Sequence, residues 1–147
     1  MYITKKGLAA ALFGAMIALA ALSAPAQALD TTSIPVGHAE FCKARPAECR
    51  PNAQVVPAVG LTAELWQQLL AVNAHVNSTV VPVTDQDLYQ VAEFWTYPNG
   101  YGDCEDYALA KRRELINAGW PASTLLMAVV KQANGEGHAV LIVRTDR

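Results

Sequence analysis

Cys104 stands in the string Gly102-Asp103-Cys104-Glu105-Asp106-Tyr107-Ala108, whose acids mark the start of a helix. Thirty-four positions later His138 opens the apolar run Gly137-His138-Ala139-Val140-Leu141-Ile142-Val143, which reads as a strand. The thiolate is the reactive form of cysteine, and a helix N-terminus lowers the pKa of a thiol placed there. Free amides of the same turn suit an oxyanion. An imidazole beside the sulfur can take its proton and return it to a leaving amine. Cys104 as nucleophile and His138 as base are thus the elements of thiol acyl transfer. The competing reading is structural: a small buried hydrophobe and a hydrogen-bonded histidine at a strand end.

The neighbouring acids complicate this chemistry. Asp103, Glu105 and Asp106 surround Cys104, and like charge opposes formation of a thiolate. Two readings stay open. The acids are an N-cap and first-turn charges that complement the helix dipole, or they are oxygen ligands for a hard cation such as calcium. A bound cation would offset their repulsion of the thiolate. Their spacing is not that of an EF-hand loop.

These residues need elements to hold them. Thr62 to Asn77 reads as a helix capped by Thr62, with Leu65, Leu69, Val72 and Val76 along one face. A second helix starts at Thr84, with Leu88, Val91, Ala92 and Trp95 as its expected buried face, and Pro98 to Gly102 break it. The third helix is expected from Asp103, as N-cap, to about Asn117, ended by Gly119. Cys104, Tyr107, Ala108 and Leu115 are its inward residues. Leu125 to Val130 is fully apolar and reads as a central strand, with His138 to Thr145 as its antiparallel partner. Helices first and strands after give an α+β order.

The amino terminus reads as a targeting segment. Lys5 and Lys6 precede an apolar run from Gly7 to Leu22, and Ala26-Gln27-Ala28 fits a signal-peptidase site, so residues 1–28 are expected to be a signal peptide. The remaining chain carries 9 basic and 13 acidic side chains and no basic stripe, which argues against nucleic acid as a partner. Residues 29–60, with four prolines, read as an irregular arm, and residues 61–147 as the body of one domain. Cys42 and Cys49 lie in the arm, and in an oxidising compartment they are expected to pair, leaving Cys104 as the odd thiol. No CxxC or HxxxH spacing supports zinc instead.

Four segments together resemble the bacterial transglutaminase-like cysteine peptidases. They are Asn73-Ala74-His75-Val76-Asn77, Pro82-Val83-Thr84-Asp85, Gly102 to Lys111 and Gly137 to Leu141. The resemblance covers nearly all of residues 36–147, and its most specific string is Gly102 to Ala108. It implies a papain-like, transglutaminase-like α+β fold, a periplasmic location and a Cys-His-Asp triad, with Cys104 as nucleophile and His138 as base. It also implies calcium held by Asp103 and Glu105, with Asp106 as a further ligand. The best-known members, the Lap-type proteases, clip large biofilm adhesins under an inner-membrane receptor that responds to cyclic di-GMP. An exported protein substrate and such a regulator are therefore the implied partners. The family's triad acid lies on the strand after the histidine strand, whereas this sequence stops at Thr145-Asp146-Arg147. Asp146 reads as a turn residue, so the third group and its C-terminal strands are expected to be missing here. A non-catalytic relative of the same fold, and acyl transfer to an amine, are the rival readings.

Overall fold

The computed structural model describes residues 33–147, so the expected signal peptide lies outside the described residues. Within them the order is α1 (Val36–Ala44), α2 (Ala63–Thr79), β1 (Val81–Pro82), α3 (Asp85–Tyr89), β2 (Tyr101–Gly102), α4 (Cys104–Asn117), a 3-10 turn (Ala122–Thr124), β3 (Leu125–Lys131) and β4 (Gly137–Val143). This mixed content is α+β.

Helix α4 is the element around which the others gather. Its C-terminus is a Schellman motif: Gly119, at φ +94°, donates to Ile116 O, and Trp120 N–H donates to Leu115 O. Only a residue that tolerates the left-handed region fits there, and glycine does so at no steric cost. Three apolar clusters then fix α4 in place. Phe41 of α1, Trp95, Leu109 and Ala139 form one, Val76, Val80 and Ala110 a second, and Leu115, Trp120 and Leu125 a third. Residues from α1, α2, β3 and β4 all meet α4 in these clusters, which pack the helix on several sides.

The two hydrogen-bonded ladders among the described residues are small. β1 pairs with β2 in parallel, Val81 opposite Tyr101, which brings the start of α3 beside the start of α4. β3 pairs with β4 antiparallel, with Val129 opposite Ala139 and Val130 opposite His138.

Three expectations are corrected. The arm is not irregular throughout, because Val36 to Ala44 is helical and buries Phe41 in the core. The second helix ends at Tyr89, where Gln90 adopts a left-handed conformation at φ 60°, so Val91, Ala92 and Trp95 are not on a helical face. Trp95 is buried all the same, delivered by irregular chain. Strand β3 is apolar but not central: among the described residues it pairs only with β4, and Leu126, Val129 and Val130 are exposed.

Candidate functional site

Cys104 is the first residue of α4, and its sulfur lies between two groups. Its S–H donates to Glu105 Oε2 at 3.1 Å, and its Sγ accepts the Ala139 backbone N–H at 3.3 Å. The second bond ties the helix start to β4 one residue past His138. Cys104 and His138 line the same cavity, of about 630 Å³, between α2, α4 and β4. The two residues expected to act together therefore face one cavity. Among the described residues, no side chain is hydrogen-bonded to His138. Asp146 is turned elsewhere: its Oδ1 accepts the Leu61 N–H at 2.9 Å, and its backbone N–H donates to Val59 O beside the Val59–Thr145 bridge, so it does not sit in a turn.

The sulfur is a thiol in these surroundings. Burial pushes the Cys104 pKa up to about 11, with Glu105 and Asp103 adding to the shift and the Ala139 N–H opposing it. The favourable helix start is outweighed by desolvation and negative charge.

The acids form a buried cluster with a member that sequence reasoning did not place there. Asp85 is 1% exposed, Glu105 4% and Asp106 0%. One ligand oxygen from each of Asp85, Asp103 and Asp106 lies within 4.8 Å of the others. Asp103 does not close the helix as a side-chain cap; its Oδ2 accepts the Asp85 N–H at 3.1 Å instead. Asp85 accepts the Phe94 N–H, and Asp106 Oδ1 accepts the Thr96 N–H at 2.9 Å. Glu105, expected among the ligands, spends one oxygen on Cys104 Sγ.

Asp85 was legible only as a first-turn acid of the helix that Thr84 caps. Its part in the cluster arises from the β1–β2 ladder, which no local pattern reveals. The one available signal was its place in the Pro82 to Asp85 segment.

The cluster fits a hard cation on its own geometry. Asp85 Oδ1, Asp103 Oδ1 and Asp106 Oδ2 are buried without any hydrogen-bond partner, a condition that costs roughly 1–3 kcal/mol per group when nothing compensates. Among the described residues none of these acids is in an ion pair. Burial raises the pKa of Asp85, of Glu105 and of Asp106, the last to about 7, and the neighbouring carboxylates add to each shift. Two oxygens that share a calcium ion at about 2.4 Å can be no more than about 4.8 Å apart, a limit that the trio respects.

Cys42 and Cys49 form the expected disulfide, which packs against the Phe41–Trp95–Leu109–Ala139 cluster behind Cys104. Cys104 is the free cysteine.

Among curated proteins none matches the chain. A family model described as bacterial transglutaminase-like cysteine proteinase matches residues 28–147, and the chain belongs to that family.

Proposed function

We propose that this member of the cysteine proteinases is a periplasmic endopeptidase that cleaves an exported protein through a Cys104–His138 thiol mechanism. The observation that carries the reading is the Ala139 N–H on Cys104 Sγ, because it holds the helix-start sulfur against the strand that carries His138. The family implies the transglutaminase-like fold. The apolar, cleavable amino-terminal segment and the Cys42–Cys49 bridge support export.

In the proposed reaction His138 takes the Cys104 proton, and the sulfur attacks the carbonyl carbon of the scissile bond. The oxyanion that forms is met by N–H groups at the start of α4. His138 then protonates the leaving amine, the C–N bond breaks, and water hydrolyses the acyl-enzyme to return the thiol. Asp85, Asp103 and Asp106 would hold a calcium ion, with Glu105 next to them. Bound there, the ion would supply positive charge that offsets the carboxylates beside Sγ and favours the thiolate. A surface adhesin as substrate and a cyclic di-GMP-responsive inner-membrane regulator rest on the family resemblance.

A second reading has its own observation. The raised thiol, with no side chain among the described residues hydrogen-bonded to His138, suits a non-catalytic binding relative of the same fold. Thiol-directed labelling separates the two. Rapid alkylation of Cys104 in the folded, calcium-loaded protein, lost in His138→Ala, supports catalysis. Labelling no faster than that of a free thiol, with or without calcium, refutes it.

A further inference from the structure

Two Asn-Gly pairs stand in exposed turns, and the chemistry above uses neither. Asn99-Gly100 lies just before β2, and Asn134-Gly135 lies between β3 and β4. In such a pair the backbone nitrogen of the second residue can attack the asparagine Cγ, and glycine leaves that approach free of a side chain. Gly100 and Gly135 both have positive φ, +80° and +89°, and an added Cβ at Gly100 would meet nothing within 4 Å. By residue type the two sites are equal.

Their hydrogen bonds differ. Asn134 Oδ1 accepts the Glu136 N–H at 3.0 Å, and its Nδ2 donates to Glu136 Oε2 at 2.7 Å. The attacking nitrogen is occupied as well, because the Gly135 N–H donates to Gln132 O at 2.9 Å. These bonds must open before Gly135 N can reach the Asn134 side chain, and each slows the attack by roughly two- to tenfold. At the other turn, among the described residues, neither the Asn99 side chain nor the Gly100 N–H has a hydrogen-bond partner. Gly100 is engaged through its carbonyl, which accepts the Val81 N–H at 2.8 Å.

We infer that Asn99 is a site of spontaneous deamidation, from which Asn134 is protected, and that the isoaspartate product loosens the ladder beneath the acid trio. The Gly100 nitrogen gives its proton to solvent base and bonds to Asn99 Cγ. The Cγ–Nδ2 bond breaks, the nitrogen takes a proton from water and leaves as ammonia, and a cyclic imide remains. Water then opens either imide carbonyl, which leaves aspartate or isoaspartate at position 99. The sum is amide plus water giving acid plus ammonia, with no oxidant and no cofactor.

Isoaspartate routes the main chain through Cβ and Cγ, which adds a carbon just ahead of β2. The β1–β2 ladder has two residue pairs, Val81 with Tyr101 and Pro82 with Gly102. It is closed by the Val81 N–H on Gly100 O and by the Val83 N–H on Gly102 O at 3.0 Å. So short a ladder cannot take up an extra main-chain atom without loosening. The same ladder brings Asp85 beside Asp103, whose Oδ2 accepts the Asp85 N–H. Modification of Asn99 therefore reaches the acid trio through the backbone.

The test follows both turns in one sample. The full chain is kept folded at mildly alkaline pH, and peptide mapping by mass spectrometry reads each Asn-Gly segment over time. Short peptides of residues 97–101 and 132–136, run alongside, cancel the intrinsic difference between the two sequences. Relative to its own peptide, Asn99 is expected to convert at least about tenfold faster than Asn134. Glu136→Ala, which removes one bond from Asn134, should speed Asn134 severalfold and leave Asn99 unchanged. Equal relative rates overturn the inference, as does an Asn99 that stays amidated while its peptide is consumed. An Asn134 indifferent to Glu136→Ala overturns it as well. The isoaspartate form, separated by ion exchange, is then read by hydrogen exchange at the Val81 and Val83 amides. Exchange should be about tenfold faster there than in an equally aged Asn99→Gln sample. Exchange as slow as in that variant would show the ladder intact and overturn the link to the acid trio.

Discussion

The backbone N–H of Ala139 donates to Cys104 Sγ at 3.3 Å, which joins the first turn of α4 to the strand that begins with Gly137 and His138. The sulfur of the proposed nucleophile is thereby held by main chain on one side and by the Glu105 carboxylate on the other. Replacing the sulfur removes the attacking atom but leaves the packing of Leu109, Ala139 and Trp95 around it. Cys104→Ala is expected to abolish peptide cleavage while keeping the thermal transition near that of the parent. His138→Ala is expected to lower kcat/KM by about 10²–10⁴, as loss of a general base does. Matched steady-state kinetics and thermal melts check both. Loss of the fold in Cys104→Ala would show the sulfur to be structural.

The buried acids make stability depend on pH in a definite direction. Asp106 is pushed from an ordinary 3.8 up to about 7 by burial, with Asp103 and Asp85 adding to the rise. Between those values the folded chain keeps a proton that the unfolded chain has released. The stability tied to it is fully present below 3.8 and lost as pH rises towards about 7. Asp85 and Glu105, raised for the same reason, act in the same sense. In chelator the melting temperature should therefore fall across this window, and calcium should restore it at about pH 8 through its binding to the folded state. A melting temperature that climbs with pH in chelator would contradict this.

Asp85 separates the three-acid centre from a simple helix cap. Its Oδ1 is one of the three unpartnered buried oxygens. Asp85→Asn removes one negative charge and is expected to weaken calcium affinity by about tenfold or more, comparable to loss of a supporting ligand group. The same change relieves repulsion from Asp103 and Glu93, so stability in chelator should hold or rise. Calorimetric titration with calcium, paired with melts in chelator, reads both effects. Unchanged calcium affinity would remove Asp85 from the centre.

How much of this was legible in the sequence depends on how far each contact reaches. Thr62 and Thr84 were readable as caps because their bonds are local: Thr62 Oγ1 accepts Leu65 N–H at 3.2 Å, and Thr84 Oγ1 accepts Asp87 N–H at 3.2 Å. The spans of α2, α4, β3 and β4 followed from periodicity for the same reason. The end of α3 did not. Asp85 draws the Phe94 N–H onto its carboxylate and keeps the chain after Gln90 out of helix, a choice made by a group nine positions away. Asp103 looked like an N-cap because it precedes a helix, yet its carboxylate serves Asp85 across the β1–β2 ladder. Cys104 and His138 were found because their residue types carry chemistry; Asp85 was hidden because an acid after a threonine already has a local explanation.

The Cys42–Cys49 bridge closes a short loop beside the core cluster that backs Cys104. With a sequence separation of 7, the chain-entropy model gives about 2–3 kcal/mol. The Cys42→Ala, Cys49→Ala double variant should lose that much in urea unfolding. Because Phe41, next to Cys42, packs on Trp95 and Ala139, labelling of Cys104 should also become less uniform. A double variant as stable as the parent would mean that α1 is held by Phe41 packing alone.

Gly102 is where the fold of the site is most exposed to a single methyl group. A Cβ at this position would sit 2.6 Å from Asp106 Oδ2 and 2.8 Å from Asp106 Cβ. The carboxylate could swing away, but only by giving up the Thr96 N–H and leaving the acid trio. The Cβ of Asp106 cannot move without moving the first turn of α4, and Cys104 with it. Either response damages the site, so Gly102→Ala should cost about 1–3 kcal/mol, the usual range for overpacking. It should also weaken calcium binding and slow alkylation of Cys104. Gly137→Ala is the control, since its Cβ would meet only Val129 Cγ1 at an ordinary 3.6 Å. Urea unfolding of the two variants side by side gives the answer. Equal, small losses would mean that the tight approach of Gly102 to Asp106 is not what seats the acids beneath Cys104.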